Sequence, residues 1–501
     1  MRHVLAIDEG TTGVTCLMIG EDGRVGGRGY REIPQYFPEA GWVEHDAVEI
    51  LACVRAAAAE AIAAAGRDPV AVGITNQRET VVVWERASGL PVHRAIVWQD
   101  RRTAARCEAL AGHAAWIADR TGLVPDPYFS ATKLEWLLER ERLLERYDAS
   151  ELAAGTVDSW LVWKLTGGDV HATDPTNASR TMLYDIDRRD WSDELCALFG
   201  VPRALLPRVR PSSGSFGVAR GDLLGASSDV PILGVAGDQQ AALFGQGCWE
   251  RGSGKSTYGT GAFLLLNAGE SRPRGGAGLL TTIACDAAGA PVYALEAAIF
   301  IAGAAVQWLR DGLGIIASAA ESEALARGIA GTEGVYFVPA LTGLGAPAWE
   351  PNARGTIVGL TRGTGRAHLV RAALEAMAYG TAEVLDTMRA ASGAPFQRLR
   401  VDGGATVNDW LMQFQADVLG VPVERPDMVE TTALGAAGLA GLAAGIWRSG
   451  EEFLATRRFS AFEPRMLRRD AEVLLAGWRR AVRAALAWAR DAEAAGGGEA
   501  R

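Results

Sequence analysis

Lysine is nearly missing from this sequence, whose 50 basic residues include only three lysines, at positions 133, 164 and 255. The 60 acidic residues outnumber the basic ones, so the net charge is −10, and no run of basic residues occurs. A protein that binds nucleic acid needs a basic face to neutralise phosphates. The composition therefore argues against a nucleic-acid partner.

Cysteine is also sparse, and its six positions form neither a C-x-x-C motif nor a paired spacing: 16, 53, 107, 196, 248 and 285. The six histidines show no ligand spacing either, so we expect reduced thiols and no structural metal site. The longest apolar run, residues 433–447, is too short and too rich in glycine to span a membrane. Strand-like residues 3–8 leave no room for a signal peptide. We expect a cytoplasmic protein without a membrane span.

Strand-like and helix-like segments alternate along the 501 residues, which are too many for a single core. Residues 3–8 and 70–77 have strand character, whereas residues 49–66 and 131–147 have helical spacing of apolar residues. This alternation predicts an α/β fold. We place the domain boundary near residue 247, with an N-terminal lobe at 1–247 and a C-terminal lobe at 248–501. The last residues, 492–501, are expected to form a flexible tail.

The stretch GSGKST at residues 252–257 looks at first like a Walker phosphate-binding loop. That motif requires G-x-x-x-x-G-K-[ST] after a strand and at the start of a helix. Five positions before Gly254 the residue is Trp249, not glycine, and the residues after Ser256 are typical of a strand. No helix N-terminus is therefore available for phosphates. We predict that Lys255→Ala has little effect, whereas a Walker lysine would be indispensable.

Two other glycine-containing turns are better phosphate candidates, DEGTTG at 8–13 and YGTGAF at 258–263, and a third turn, VDGGA at 401–405, ends a strand and opens a helix. Glycine lets the backbone approach a phosphate closely, and threonine adds a hydroxyl donor. Each turn alone could be an ordinary hairpin. Together, half a chain apart, they match the phosphate and adenosine elements of the two-lobed ATPase fold of actin, Hsp70 and sugar kinases. We therefore predict duplicated ribonuclease H-like domains with a catalytic cleft between the lobes.

From about Val4 to Trp447 the sequence resembles the glycerol kinases of the FGGY carbohydrate kinase family. The carrying stretches include GITNQRETVVVWE (73–85), AIVWQDRRTA (95–104), DPYFSATKLEWLL (126–138), TDPTNASRTMLYDI (173–186), GVAGDQQAALFGQ (234–246), STYGTGAFLLLN (256–267), IAGAAVQWLRDG (301–312) and VDGGATVNDWLMQFQADVLG (401–420). NQRET, VWQDRR and GDQQAALFG are specific to the glycerol branch. The resemblance therefore implies an ATP-dependent kinase that phosphorylates glycerol to sn-glycerol 3-phosphate.

The resemblance also implies a role for individual residues. Asp238 matches the catalytic base that accepts the proton of the attacking hydroxyl. The family's substrate pocket corresponds to Arg78, Glu79, Trp98, Tyr128, Asp238, Gln239 and Phe263. Its nucleotide contacts correspond to Thr11, Thr12, Gly13, Thr260, Gly303, Gln307, Gly404 and Asn408. Asp8 and Asp238 are expected to lie near a Mg²⁺ ion that accompanies ATP.

These assignments are chemically reasonable. An arginine donor beside a carboxylate acceptor can satisfy neighbouring hydroxyls of a triol, and phosphoryl transfer depends mainly on positioning and charge neutralisation. Ordinary structural roles stay open from the pattern alone. Arg78 and Glu79 could form a surface ion pair, Trp98 could be a core residue, and Asp238 could cap the following helix.

The first loop departs from the family pattern Asp-Gln-Gly-Thr-Thr-Ser-Ser-Arg, since it reads DEGTTGVT. Glu9 replaces glutamine, Gly13 and Val14 replace the serines, and Thr15 replaces an arginine that contacts nucleotide phosphate in the family. We predict weaker nucleotide binding unless another group substitutes. Glu9 should repel phosphate unless it faces away or helps to hold Mg²⁺.

Two other functions are compatible with parts of the sequence. The altered loop also resembles other FGGY polyol or sugar kinases, such as pentulose kinases. A non-catalytic actin-like ATPase or sensor would share the fold but would not need a base at position 238. We further expect a homo-oligomer, either a dimer or a tetramer.

Overall fold

The computed structural model describes residues 1–273, 275–276 and 278–496, with side chains described as far as Arg490. Of the predicted tail 492–501, residues 492–496 continue the last helix and 497–501 lie outside the described residues. Alanine and glutamate at 492–495 are strong helix formers, which explains why the helix extends this far, and the flexibility of the tail stays a prediction.

The N-terminal lobe contains 14 strands and ten helices. Its strands are β1 His3–Glu9, β2 Gly13–Gly20, β3 Val25–Glu32, β4 Glu44–His45, β5 Ala71–Asn76, β6 Val81–Glu85, β7 Ala95–Ile96, β8 Leu152–Thr156, β9 Ala172–Thr173, β10 Tyr184–Asp185, β11 Asp190–Trp191, β12 Arg208–Val209, β13 Val218–Ala219 and β14 Val230–Gly237. Its helices are α1 Ala47–Ala65, α2 Ala104–Ala109, α3 Ala114–Thr121, α4 Ser130–Arg140, α5 Leu143–Arg146, α6 Val157–Leu165, α7 Pro175–Ala178, α8 Asp193–Leu198, α9 Gly221–Leu224 and α10 Asp238–Gly245.

Within its described residues, the C-terminal lobe supplies nine strands and seven α-helices. Its strands are β15 Gly254–Tyr258, β16 Ala262–Gly269, β17 Leu280–Cys285, β18 Pro291–Ile299, β19 Tyr336–Val338, β20 Thr356–Val358, β21 Leu399–Asp402, β22 Val423–Pro426 and β23 Phe459–Phe462. Its helices are α11 Gly303–Asp311, α12 Glu321–Arg327, α13 Arg366–Ser392, α14 Asp409–Leu419, α15 Thr431–Ala443, α16 Gly450–Leu454 and α17 Arg468–Gly496.

The largest sheet of each lobe is mixed, and these two sheets have the same plan, whereas β4-β7-β6-β8 form a separate sheet in the N-terminal lobe. The N-terminal sheet has the order β13-β14-β5-β1-β2-β3, and the C-terminal sheet has the order β17-β18-β16-β15-β21-β22-β23. In both, an antiparallel hairpin (β1–β2 or β15–β16) precedes a strand that pairs parallel with its first arm (β5 or β21). Both hairpins carry a predicted phosphate loop at their turn. The predicted duplication is therefore present in the topology.

The central strands form because their residues are apolar without interruption. All six residues of β5, Ala71–Asn76, are buried, as are Val4 to Ile7 in β1. Strands that are covered on both faces by helices require such continuous apolar runs. The polar ends of these strands, Asp8 in β1 and Asn76 in β5, mark the edge where the cleft begins.

Helix α15 shows that the linear boundary at residue 247 is incomplete. Although it follows the C-terminal sheet in sequence, α15 packs against β1, β5 and β14 of the N-terminal sheet and against α10. Glycine permits this approach: a Cβ on Gly435 would lie 1.8 Å from the carbonyl oxygen of Ala241 in α10, and one on Gly73 would lie 2.2 Å from that of Ala436. Residues 433–443 of the glycine-rich run thus belong to a helix that packs on the N-terminal sheet.

No helix among the described residues is long and apolar enough to cross a membrane. All six cysteines are unpaired, and five of them are buried, which agrees with the expectation of reduced thiols.

Candidate active site

Arg78 and Glu79 lie in the turn between β5 and β6 and are almost completely buried, with side-chain exposures of 2% and 1%. The surface ion pair that the sequence left open is therefore excluded. Glu79 has a φ of 63°, a left-handed conformation that costs energy for a residue with a side chain and is typical of functional sites. The turn directs both side chains toward the cleft between the lobes.

Arg78 and Glu79 form a buried network of four charged residues with Arg180 and Glu296. Glu296, on β18 of the other lobe, accepts hydrogen bonds from Arg78 Nη1 and Nη2 and from Arg180 Nη2, the last at 3.0 Å. Arg180 Nε also donates to Glu79 Oε1 at 2.6 Å. Two positive and two negative charges therefore balance in the interior, and the arginines hold the pKa of Glu296 at about 2, against the effect of burial. Breaking one member of such a network leaves an uncompensated buried charge.

The predicted aromatic wall is only partly assembled around this network. Trp98 and Tyr128 make an edge contact with ring centroids 5.5 Å apart, and the Tyr128 hydroxyl accepts a hydrogen bond from Arg78 Nη2 at 3.3 Å. Phe263 lies on the opposite lobe, in β16, and no ring contact within the described residues joins it to either of them. Lys133 Nζ donates hydrogen bonds to the carbonyl oxygens of residues 127, 128 and 129 and so stabilises the backbone that carries Tyr128.

Asp238 is the first residue of α10, directly after β14. Its Oδ1 lies 3.2 Å from Arg78 Nε and accepts the N–H of Gln239 at 2.6 Å. The side chain keeps 32% of its surface exposed, and Oδ2 has no hydrogen-bond partner among the described residues. Asp238 is the first helical residue and not the N-cap, which is Gly237. One carboxylate oxygen is therefore held by Arg78 while the other faces the cleft.

A backbone hydrogen bond closes the turn in each of the two phosphate-loop candidates. Gly10 N donates to Gly13 O at 3.0 Å in the first loop, and Gly259 N donates to Gly261 O at 2.9 Å in the second. Trp98 Nε1 donates to Thr11 Oγ1 at 2.9 Å, so the first loop contacts the aromatic wall. These loops place the threonine hydroxyls of both lobes at the cleft.

Two departures of the first loop have a structural reason. A Cβ at Gly13 would lie 2.6 Å from the Tyr30 hydroxyl and 2.8 Å from Arg31 O, so no larger residue fits there. The Glu9 side chain points into the N-terminal lobe, where it is fully buried and its Oε1 accepts a hydrogen bond from Gln77 Nε2 at 2.8 Å. Burial raises the pKa of Glu9 well above its ordinary value, and its side chain faces away from the loop.

Five predicted nucleotide residues line one cavity of about 440 Å³ in the C-terminal lobe: Thr260, Gly303, Gln307, Gly404 and Asn408. Arg310, Ser322 and Val407 line it as well. Gly403, with a φ of 92°, precedes Gly404 in the turn beside this cavity. Only glycine fits at position 403, because a Cβ there would lie 2.3 Å from Tyr258 O. Thr11, Thr12 and Gly13 belong to the other lobe and are not part of this cavity's lining.

Carboxylates lie close together where β1 reaches the cleft. Burial, together with the nearby charges of Asp238 and Glu430, raises the pKa of Asp8 to about 7. Among the described residues no group of three or more His, Cys, Asp or Glu side chains could hold a metal by itself. Mg²⁺ usually binds one or two carboxylates together with substrate phosphates. The oxygen donors of Asp8 and Asp238 fit that mode.

Comparison with known proteins identifies the architecture. Residues 3–245 match the N-terminal domain of the FGGY family of carbohydrate kinases, and residues 254–444 match its C-terminal domain. The chain belongs to the FGGY family of carbohydrate kinases. The two matches meet near residue 247, as the two sheets do.

Among its relatives, this FGGY protein is 53% identical to the glycerol kinase of Deinococcus radiodurans over 500 residues, which covers 98% of this chain and 99% of the relative. It is 52% identical to glycerol kinase 2 of Thermotoga maritima, with 97% and 99% of the two chains covered. The structure of Plasmodium falciparum glycerol kinase with ADP superposes with a TM-score of 0.93 at 35% identity and covers 97% of this chain and 98% of that chain. The predicted two-lobed kinase fold is confirmed.

Sequence reasoning missed several residues of the site in this FGGY protein. Glu296 is the only charged residue of β18, PVYALEAAI, and a lone charge in an apolar strand could have signalled a buried partner. Lys255 was interpreted only as evidence for or against a Walker loop. It is in fact fully buried, and its ammonium group donates hydrogen bonds to Gln239 Oε1 and Thr257 Oγ1. The expectation that Lys255→Ala changes little is therefore revised.

Proposed function

We propose that this protein is a glycerol kinase that transfers the γ-phosphoryl group of ATP to glycerol and produces sn-glycerol 3-phosphate and ADP. The observation that carries the proposal is the identity of more than half of the residues to glycerol kinases over nearly the whole chain. The geometry supports it, since Asp238 lies between a polar pocket on one side and two phosphate loops on the other. An actin-like sensor would have no use for this base.

In the proposed mechanism, the pocket residues orient the substrate before transfer. Glu79 Oε2 has no hydrogen-bond partner among the described residues and can accept a hydrogen bond from a substrate hydroxyl. Asp238 Oδ2 accepts the proton of the hydroxyl that attacks phosphorus, while Arg78 holds Oδ1 in place. A carboxylate base of this kind contributes about 10²–10⁴-fold in rate.

The rest of the cleft binds the nucleotide and excludes water. The 440 Å³ cavity holds the adenosine moiety, and the loops at Thr11, Thr12, Gly13 and Thr260 hold the phosphates through backbone N–H groups and hydroxyls. Trp98, Tyr128 and Phe263 surround the carbon chain of glycerol when the lobes close, so that water does not compete for ATP.

A divalent ion, which we take to be Mg²⁺, enters with ATP. Asp8 and Asp238 would hold it, directly or through water, and it would neutralise charge on the transferring phosphoryl group. We further propose that the protein acts in the cytoplasm and assembles into a dimer or tetramer.

The first test is ADP release with MgATP in the presence of glycerol, xylulose, ribulose, erythritol or no substrate. A strong response to glycerol alone is expected. Faster turnover with a pentulose would favour a different FGGY kinase, and no response to any substrate would favour a non-catalytic protein.

The second test concerns the base. We predict that Asp238→Asn lowers kcat by about 10²–10⁴-fold, while calorimetry still detects glycerol binding. Asp119→Asn, on a side chain that is 81% exposed, is the matched control and should leave kcat unchanged. Near-normal turnover of Asp238→Asn would remove this residue from the base role.

A further inference from the structure

Lys255 lies on β15, whose neighbours in the sheet are β16 and β21. Cross-strand pairing places Leu265 opposite Lys255 and also opposite Glu296. Directly paired residues project to the same face of a sheet. Lys255 and Glu296 therefore lie on one face of the C-terminal sheet, the face that the catalytic helix α10 covers.

The ammonium group of Lys255 connects this sheet to the helix that begins with Asp238. Nζ donates to Thr257 Oγ1 on its own strand at 2.7 Å and to the side-chain oxygen Oε1 of Gln239 on α10. Burial lowers the pKa of Lys255, and the nearby carboxylates of Asp402, Asp238 and Glu296 oppose that shift. The lysine is thus a buried hydrogen-bond donor next to the proposed base, although it has no role in a Walker loop.

The chemistry of the contact fixes the orientation of Gln239. A lysine ammonium has three donors and no acceptor, whereas a glutamine amide has an acceptor oxygen and a donor nitrogen. Only Oε1 can therefore face Lys255, and Nε2 must face the other way. Nε2 has no acceptor among the described residues, and the Gln239 side chain is half-buried at the cleft.

We propose that Lys255 is a positioning residue that fixes the Gln239 amide so that its two N–H donors face the substrate pocket. This inference rests on the proposed function, in which Gln239 contacts glycerol. The pocket then offers an acceptor at Asp238 Oδ2 and a donor at Gln239 Nε2, side by side. One hydroxyl gives its proton to Asp238 while the neighbouring hydroxyl oxygen accepts from Gln239, which selects for vicinal diols.

The lysine content of the chain supports a specific use of the ammonium group. Of three lysines, Lys133 donates to three backbone carbonyl oxygens and Lys164 donates to Gly89 O at 3.0 Å. Arginine supplies nearly all other positive charges of the chain, whereas lysine occurs where a compact donor group binds buried oxygen atoms. A planar guanidinium fork has a different geometry and does not replace such a point donor.

The test compares Lys255→Met with the wild type in steady-state kinetics and in direct glycerol binding by calorimetry. Methionine keeps the length of the side chain but removes the charge and the donors. We expect the KM for glycerol to rise roughly 10- to 100-fold, as for loss of one charge-assisted hydrogen bond, with the KM for ATP changing less than about threefold. Lys164→Met, outside the site, is the matched control and should leave both KM values unchanged.

A double-mutant cycle distinguishes positioning from a general structural effect. If Lys255 acts through Gln239, then Lys255→Met adds no further rise in glycerol KM to a Gln239→Ala background. Additive effects, or an equal rise in both KM values, would overturn the inference. Should Lys255→Met fail to fold, Gln239→Glu replaces it, because a carboxylate keeps the contact with Lys255 but has no donor. An unchanged glycerol KM in Gln239→Glu would also overturn it.

The two levels of failure are separable. A wild-type protein that turns over no glycerol overturns the proposed function and this inference together. An active wild type with an unaffected Lys255→Met variant overturns the inference alone.

Discussion

The charge network at Glu296 makes the strongest prediction about stability. Replacing Glu296 with glutamine preserves shape but leaves Arg78, Arg180 and Glu79 with one uncompensated positive charge in the interior. The pKa of Glu296 falls from its ordinary 4.5 to about 2, which corresponds to about 3 kcal/mol in favour of the charged form. Removing one partner of a buried ion pair costs about 3–5 kcal/mol. We therefore expect Glu296→Gln to destabilise the folded protein by about 3 kcal/mol or more.

The measurement is thermal unfolding, followed by calorimetry, of the wild type and the variant. A loss of about 3 kcal/mol corresponds to a decrease in Tm of roughly 6–12 °C for a lobe of about 250 residues. Glu472→Gln is the matched control, because Glu472 pairs with Arg468 at 3.3 Å on the surface, with side chains that are 62% and 52% exposed. Such exposed pairs contribute at most about 1 kcal/mol.

The same network has a defined pH dependence. The folded-state pKa of Glu296 is lower than its unfolded value, so the carboxylate stabilises the fold fully above pH 4.5 and loses this effect as the pH falls toward 2. The difference in Tm between the wild type and Glu296→Gln should therefore narrow below pH 4.5. A variant as stable as the surface control, or a Tm difference that does not depend on pH between 6 and 3.5, would refute the reasoning. The variant should also raise the KM for glycerol, because a glutamine has one acceptor oxygen and Arg78 loses at least one of its two hydrogen bonds to residue 296.

Two further predictions concern the catalytic helix and the first phosphate loop. Gly435→Ala places a Cβ 1.8 Å from Ala241 O of α10, so we expect a loss of about 1–3 kcal/mol in stability and a lower kcat. The control is Gly112→Ala, whose Cβ would meet nothing within 4 Å. Equal Tm values for the two variants would contradict the packing argument. Thr15→Arg should lower the KM for ATP by up to about tenfold through one charge-assisted hydrogen bond, with the glycerol KM unchanged and Thr15→Gln as the neutral control. An unchanged ATP KM would mean that another group already replaces the missing arginine.

The sequence alone predicted the fold and many residues of the candidate active site. Apolar strands that end in DEGTTG, YGTGAF and VDGGA together predict two phosphate hairpins and an adenosine turn, because glycine lets the backbone approach a phosphate closely. The structure brings five of the predicted nucleotide residues to one cavity and places Arg78, Glu79, Trp98, Tyr128 and Asp238 together. The structure does not test their roles in catalysis, which stay predictions.

Long-range contacts were decided only by the tertiary structure. The partners of Arg78 and of Gln239 lie on another lobe, at Glu296 and Lys255, and no local spacing relates residues that are 218 positions apart. The direction of Glu9 likewise depended on burial beside Gln77. Short-range patterns specify which strands, turns and helices form, because those depend on neighbouring residues. Which buried charge meets which partner is determined by how the two sheets pack across the cleft, and that arrangement exists only in the folded chain.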